Sequence, residues 1–168
     1  MLGLILTFLK PFNTALVLWL ILSGSNWLAA MAIMWLMICD ILDGFFFRRS
    51  SFKANKKLFW FRRVFDVVLD RVATEAVLVT MIVCLNFPLY LYFTEGVREF
   101  FLLGAWLYGL KARRPLREPN LFSRISAFNV GLMAIAWLIV PKAAVWLLIP
   151  VIAFGIPGLR QYYWTIAR

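Results

Sequence analysis

Histidine is absent from this chain of 168 residues, and its absence removes several chemistries at once. Imidazole metal sites, nucleophile–histidine triads and haem ligation through histidine are all excluded. Cysteine is scarce: Cys39 and Cys84 fall near opposite ends of consecutive apolar runs, which argues against a disulfide or a two-thiolate metal site. Acidic residues number eight against eighteen basic ones, and charged residues of both signs make up 15% of the chain. No internal repeat, low-complexity stretch or linker marks a second domain, so residues 1–168 are read as one domain.

What the chain has in quantity is apolar surface. Hydrophobic residues make up 64% of it, more than a water-soluble domain of this size can hide in one core. A helical membrane span needs about 20 predominantly apolar residues. Six such runs are predicted, at 4–23, 27–47, 63–86, 89–110, 121–140 and 143–159. Turn signals separate them: Ser-Gly-Ser-Asn at 23–26, the stretch from Asn86 to Pro88, and Pro141. Pro150, Gly155 and Pro157 predict a kinked or shortened last span. The first run lacks a basic region ahead of it and is interrupted by Lys10 and Pro11, so it reads as a retained span and not as a cleaved signal peptide.

The basic residues set an orientation. The loop from Arg48 to Arg63 carries seven, the segment from Lys111 to Arg124 five, and Lys10 with the C-terminal tail three more, while the opposite loops carry Lys142 alone. By the positive-inside rule both termini and both basic segments are cytoplasmic. The fold expected is therefore an all-α integral membrane protein with six transmembrane helices and both termini in the cytoplasm. The net charge of +10 belongs to one membrane face and to anionic lipid headgroups, not to a nucleic-acid surface.

Half of the acidic residues fall in two tight pairs. Asp40 and Asp43 are three apart at the end of the second run; Asp66 and Asp70 are four apart at the start of the third. Residues so spaced share a helix face, and a short connection makes the two helices neighbours. Carboxylates are expensive in a bilayer and repel when crowded, so four converging aspartates call for cations, and hard divalent ions take oxygen ligands. The alternative is that the aspartates cap helices or pair with Arg48, Arg62, Arg63 and Arg71. Two metals beside a basic cleft suit phosphoryl chemistry, in which one carboxylate takes the proton of an attacking hydroxyl. Gly44 lets a diphosphate approach the backbone, and Arg48, about one turn on, is placed to hold a phosphate.

The run Asp40-Ile-Leu-Asp43-Gly44-Phe-Phe-Phe47-Arg48, followed by Asp66-Val-Val-Leu-Asp70, resembles the signature of the CDP-alcohol phosphatidyltransferases. That signature is Asp-x-x-Asp-Gly-x-x-Ala-Arg, then Gly, then Asp-x-x-x-Asp, on the second and third of six membrane helices. Thr7 and Lys10 are similar to a Thr-x-x-Arg near the family's N-terminus. Arg98-Glu99 resembles an Arg-Glu pair of its fourth span, and Ser123-Arg124 stands where phosphatidylglycerophosphate synthases have Gly-Lys. The resemblance implies that Asp40, Asp43, Asp66 and Asp70 hold two Mg²⁺ or Mn²⁺ ions, that Asp70 is also the general base, and that Gly44 and Arg48 face the CDP group. It implies phosphatidyl transfer from CDP-diacylglycerol or a related CDP-lipid to a small alcohol, with CMP leaving. Arg98, Arg113, Arg114 and Arg124 are the candidates for binding a phosphorylated acceptor, glycerol 3-phosphate foremost. Expected partners are these substrates and membrane lipids, with a second copy of the chain as a further candidate. The expected location is a bacterial cell membrane with the site facing the cytoplasm.

Three departures bear on the donor. Phe47 replaces the motif's Ala, Arg62 stands where the family has its second Gly, and the stretch between Arg48 and Asp66 is longer than the usual pattern. A side chain in place of glycine occupies space that a nucleotide would use; Arg62 is also placed to contact the diphosphate. These departures leave room for a divergent, catalytically inactive member with a structural or assembly role. An ion pathway through the intramembrane carboxylates is a third reading, weakened by the pairing expected among Glu75, Arg98 and Glu99. The aromatic clusters, such as Phe45 to Phe47 and Tyr162 to Trp164, read as interfacial belts.

Overall fold

In a computed structural model, the backbone is described for residues 2–49, 56–111 and 121–167, and side chains for 8–42, 65, 68–104, 121–161 and 163. Every element in the described residues is an α-helix: α1 (Leu2–Leu22), α2 (Asn26–Arg49), α3 (Lys56–Leu85), α4 (Leu89–Lys111), α5 (Leu121–Ile139), α6 (Pro141–Trp146) and α7 (Leu148–Ala167). The helices form two units, residues 1–86 and residues 87–168.

The turns end helices where the sequence signals them. After α1, Gly24 takes the left-handed conformation with φ 73°. The amide of Ser25 then donates to the carbonyl of Leu20 at 3.0 Å, and that of Gly24 to Ile21 at 3.0 Å. This reciprocal pair of bonds satisfies carbonyls that the helix end leaves open. Asn86 does the corresponding work after α3 with φ 51°, a conformation that asparagine tolerates better than most residues. Pro88 precedes α4, and its carbonyl accepts from Leu91 at 3.0 Å.

In the first unit α1 packs against both α2 and α3. Its buried face is Lys10, Thr14, Val17, Leu20 and Ile21, a stripe at helical spacing. Facing residues are small on α2, where Ala29 and Ala30 are buried beside Ile33, and larger on α3, where Val77, Leu78 and Met81 are buried. Small residues let helix backbones approach closely.

In the second unit α5 packs against α6 and α7, and α4 packs against α7. Phe87 meets Trp137 edge to face at 5.4 Å between ring centroids. The contact between α5 and α7 is made by small residues on both sides: a Cβ placed on Gly158 would stand 2.9 Å from the Ser123 amide nitrogen, and one on Gly155 would stand 3.3 Å from Ser126 Oγ. At the far end of α7 the Tyr163 hydroxyl donates to the Phe101 carbonyl of α4 at 2.8 Å.

Outside these cores the chain is apolar where it is exposed. Phe12 is 74% exposed, Val83 75% and Trp146 73%, in company with Trp19, Trp27 and Phe100. So many exposed large apolar side chains suggest association with a membrane. Among the described residues α5 and the α6–α7 rod (Pro141–Gln161) are long and apolar enough to cross a membrane; the apolar parts of α1 (Phe8–Leu22) and α2 (Asn26–Leu42) are shorter.

One expectation needs correction, and another, the interrupted last span, takes a definite form. The basic segment from Arg48 to Arg63 is largely helical, since α2 runs to Arg49 and α3 begins at Lys56. It contains neither glycine nor proline, and its lysines and arginines are good helix formers. The last predicted span is two helices that meet at Leu147, whose amide makes a short-range bond to Ala144 at 3.2 Å. Pro150 is the cause: it has no N–H to give to residue 146 and is tolerated in the first turn of α7, where none is required.

Gly158→Ala will force α5 and α7 apart against backbone, and such overpacking costs about 1–3 kcal/mol. A lower unfolding temperature for the purified variant in detergent checks this; an unchanged one contradicts the close approach.

Candidate active site

The site begins with an ammonium group that has nowhere else to go. Lys10 belongs to the buried face of α1 and is 4% exposed. An unpaired charge in that position would cost several kcal/mol. Its Nζ donates to Asp40 Oδ1 of α2 at 2.8 Å and to Asp70 Oδ1 of α3 at 2.6 Å. Both are charge-assisted bonds, among the stronger hydrogen bonds a protein makes. One aspartate from each half of the motif, thirty residues apart in sequence, is thereby brought to a single cation.

The arrangement is asymmetric. The lysine is buried while the side chains of Asp40 and Asp70 are 56% and 44% exposed. The ammonium therefore lies beneath the carboxylates, and the carboxylates face outward. Local packing fixes this depth: the Thr14 hydroxyl donates to the Lys10 carbonyl at 2.8 Å, the Thr74 hydroxyl to the Asp70 carbonyl at 2.9 Å, and Phe8 of α1 packs on Phe65 of α3 with centroids 6.0 Å apart. Cys39, next to Asp40, is buried.

The backbone of α2 continues through Asp43, Gly44 and Arg48, and that of α3 includes Asp66. The side chains of these four, with Arg113 and Arg114, lie outside the described residues. Among the described residues no group of three or more acidic or thiol side chains surrounds a common point. The donor set nonetheless fits a hard cation. Two carboxylates converge on one positive charge, supplied by the lysine ammonium, and carboxylate oxygens are the donors that hard cations take.

The acceptor candidates fall in the second unit. Arg98 is buried, with one terminal nitrogen donating to Glu95 and to Glu99, the latter at 2.9 Å, and the other to Ser126 Oγ at 2.9 Å. Ser126 passes its own proton to the Val151 carbonyl at 3.0 Å, so the network joins α4, α5 and α7. Arg124 is exposed in the first turn of α5.

Sequence reasoning passed over two participants. Lys10 was counted as a topological charge and, with Thr7, as similar to the family's N-terminal Thr-x-x-Arg, but not as a partner of the aspartates, although a lysine within an apolar run is itself a signal of a buried partner. Glu95 went unnoticed beside Arg98, although three-residue spacing on a helix is the ordinary geometry of such a pair.

The sequence model of the family described as CDP-alcohol phosphatidyltransferase matches residues 1–157, which takes in all four aspartates and reaches into both units. No curated protein and no solved structure matches the chain. A match over nearly the whole length, together with Asp40 and Asp70 gathered on one cation, establishes that this chain belongs to the CDP-alcohol phosphatidyltransferases, a family of phospholipid-synthesising transferases.

Proposed function

We propose that this enzyme transfers the phosphatidyl group of CDP-diacylglycerol, or a related CDP-lipid, to glycerol 3-phosphate, using Asp40, Asp43, Asp66 and Asp70 to hold two Mg²⁺ or Mn²⁺ ions. The observation that carries the reading is the meeting of Asp40 and Asp70, one from each motif half, at one cationic centre. Bound divalent ions supply neutralisation of the diphosphate charge and alignment of the reacting oxygens.

The chain's own residues do the rest. The acceptor oxygen forms a bond to the phosphorus that bears the lipid, the bond from that phosphorus to the CMP oxygen breaks, and CMP leaves with the electron pair. Asp70, half exposed at the mouth of the cluster, takes the hydroxyl proton. Gly44 leaves room for the diphosphate, and Arg48, about one helical turn further along α2, meets it. Acceptor recognition is assigned to Arg113, Arg114 and Arg124. Arg98 was placed with them by sequence; its terminal nitrogens are engaged by Glu95, Glu99 and Ser126, so Arg124 is the arginine to test.

The same proposal places residues 1–168 in the membrane as one functional domain of six spans, α6 and α7 together making the sixth. Both termini and both basic segments are on the cytoplasmic side. The exposed apolar side chains support a lipid surround. A phosphorylated acceptor is favoured over choline because arginines are plentiful here and no aromatic cage for a quaternary amine is evident among the described residues.

Mg²⁺ or Mn²⁺ will raise the unfolding temperature of the purified protein, as any ligand selective for the folded state does. Asp43→Asn will lose that response, and equal thermal shifts in both proteins contradict the ion site. Asp70→Asn will lower kcat by about 10²–10⁴ while retaining CDP-lipid binding, the result expected when a general base is removed; near-normal turnover moves the base to another carboxylate.

The deciding experiment supplies purified enzyme, Mg²⁺ and CDP-diacylglycerol with each candidate alcohol in turn and measures CMP release. Release with glycerol 3-phosphate is expected, and Arg124→Lys will raise KM for that acceptor more than for the donor, because lysine cannot copy the bidentate grip of arginine. Release with serine or inositol phosphate alone overturns the acceptor. No release with any alcohol favours the inactive, structural alternative.

A further inference from the structure

In the second unit three helices exchange hydrogen bonds through a single hydroxyl. Ser126 of α5 is fully buried. Its Oγ accepts from a terminal nitrogen of Arg98 on α4 at 2.9 Å and donates to the Val151 carbonyl of α7 at 3.0 Å. Gly155, about one helical turn beyond Val151, completes the cradle: a Cβ there would stand 3.3 Å from the same Oγ and 3.8 Å from Arg98 Cδ. The carbonyl takes the serine proton, and the bare α-carbon leaves room for its oxygen.

A helix held by one buried hydroxyl in this way has its rotation about its own axis set. Successive residues lie about 100° apart, so Arg124, two before Ser126, stands about 200° round the helix from it. Burial agrees, since Ser126 faces the packing and Arg124 is exposed. Rotation of α5 by one residue would swing Arg124 through about 100° and bring Ile125 or Ala127 to the cradle. Neither can accept from Arg98, and a buried charged donor that loses its acceptor is costly.

We propose that Ser126, seated between Val151 and Gly155 and bonded to Arg98, is a positioning residue for the acceptor: it fixes the rotation of α5 and so the direction in which Arg124 is presented to the acceptor phosphate. The inference rests on the reading of Arg124 as acceptor-binding and adds residues that reading does not contain. Arg98 acts on recognition from inside the packing, through Ser126.

The test measures CMP release by the full-length enzyme in detergent with Mg²⁺, CDP-diacylglycerol and glycerol 3-phosphate, or whichever phosphorylated alcohol supports release. KM for each substrate is compared in the wild type, Ser126→Ala, Arg124→Ala and the double variant. Ser126→Ala is expected to raise KM for the acceptor about tenfold and KM for the donor less than about twofold. In the Arg124→Ala background it is expected to add nothing, because the side chain it orients is gone; a serine with a structural role alone would not give that non-additivity. Gly155→Ala, which crowds the same hydroxyl, is expected to reproduce the pattern and replaces Ser126→Ala if that variant does not fold. An equal rise in both KM values, an unchanged acceptor KM, effects that multiply with those of Arg124→Ala, or loss of folded protein in both variants overturns the inference and leaves acceptor binding by Arg124 standing. An acceptor KM that Arg124→Ala does not change overturns the reading and the inference together, as does absence of CMP release with every alcohol.

Discussion

A lysine ammonium can remain inside an apolar helix packing when oxygen acceptors are brought to it, and here they are brought by two other helices. Lys10 heads the buried stripe of α1 that continues as Thr14, Val17 and Ile21. The same helix that fills the apolar interior of the first unit therefore also dictates where α2 and α3 must present a carboxylate. Asp40 and Asp70 answer from positions that the apolar faces already fix: Ala29, Ala30 and Ile33 on α2, and Val77, Leu78 and Met81 on α3. The depth of the ammonium sets the depth at which Asp40 and Asp70 meet it.

The second unit solves a similar problem in the opposite way. Arg98 is surrounded by Glu95, Glu99 and Ser126, and its partners are buried or nearly so. The Lys10 cluster turns its carboxylates outward instead. A polar network held inside the packing, as at Arg98, specifies how helices meet, whereas the carboxylates of Asp40 and Asp70 are about half exposed. The contrast in burial separates the two clusters more clearly than residue type does, because in both a base meets carboxylates.

Much of this was legible in the sequence, for local reasons. The spacing of Asp40 with Asp43 and of Asp66 with Asp70 needs only helical periodicity, and Gly24, Asn86 and Pro88 end or begin helices through their own backbone preferences. What was not legible depends on distant partners. Lys10 meets residues 30 and 60 positions away, and although its place in an apolar run signals a buried partner, nothing along the chain says which residues that partner would be. The interruption of the last span was legible from its prolines, but its exact place, Leu147, was not, because a proline marks the turn it begins only once the helix boundaries are known. The helical stretch from Lys56 to Arg63 was taken for a loop because its charge outweighed its lack of any helix breaker.

The composition of α4 has a consequence for biogenesis. In a bilayer, Glu95, Arg98 and Glu99 each burden the transfer of this segment from the translocon by about 2.5–3.5 kcal/mol if placed near the centre of an isolated helix. The Glu95–Arg98 and Arg98–Glu99 pairs lie within α4 and form as soon as it coils, which removes part of that burden. The remaining partner, Ser126, is itself anchored to Val151. The polar stretch of α4 thus gains Ser126 as a partner only when α5 has been made, and Ser126 its own anchor only when the chain reaches Val151, so the order of synthesis is also the order in which this network can assemble.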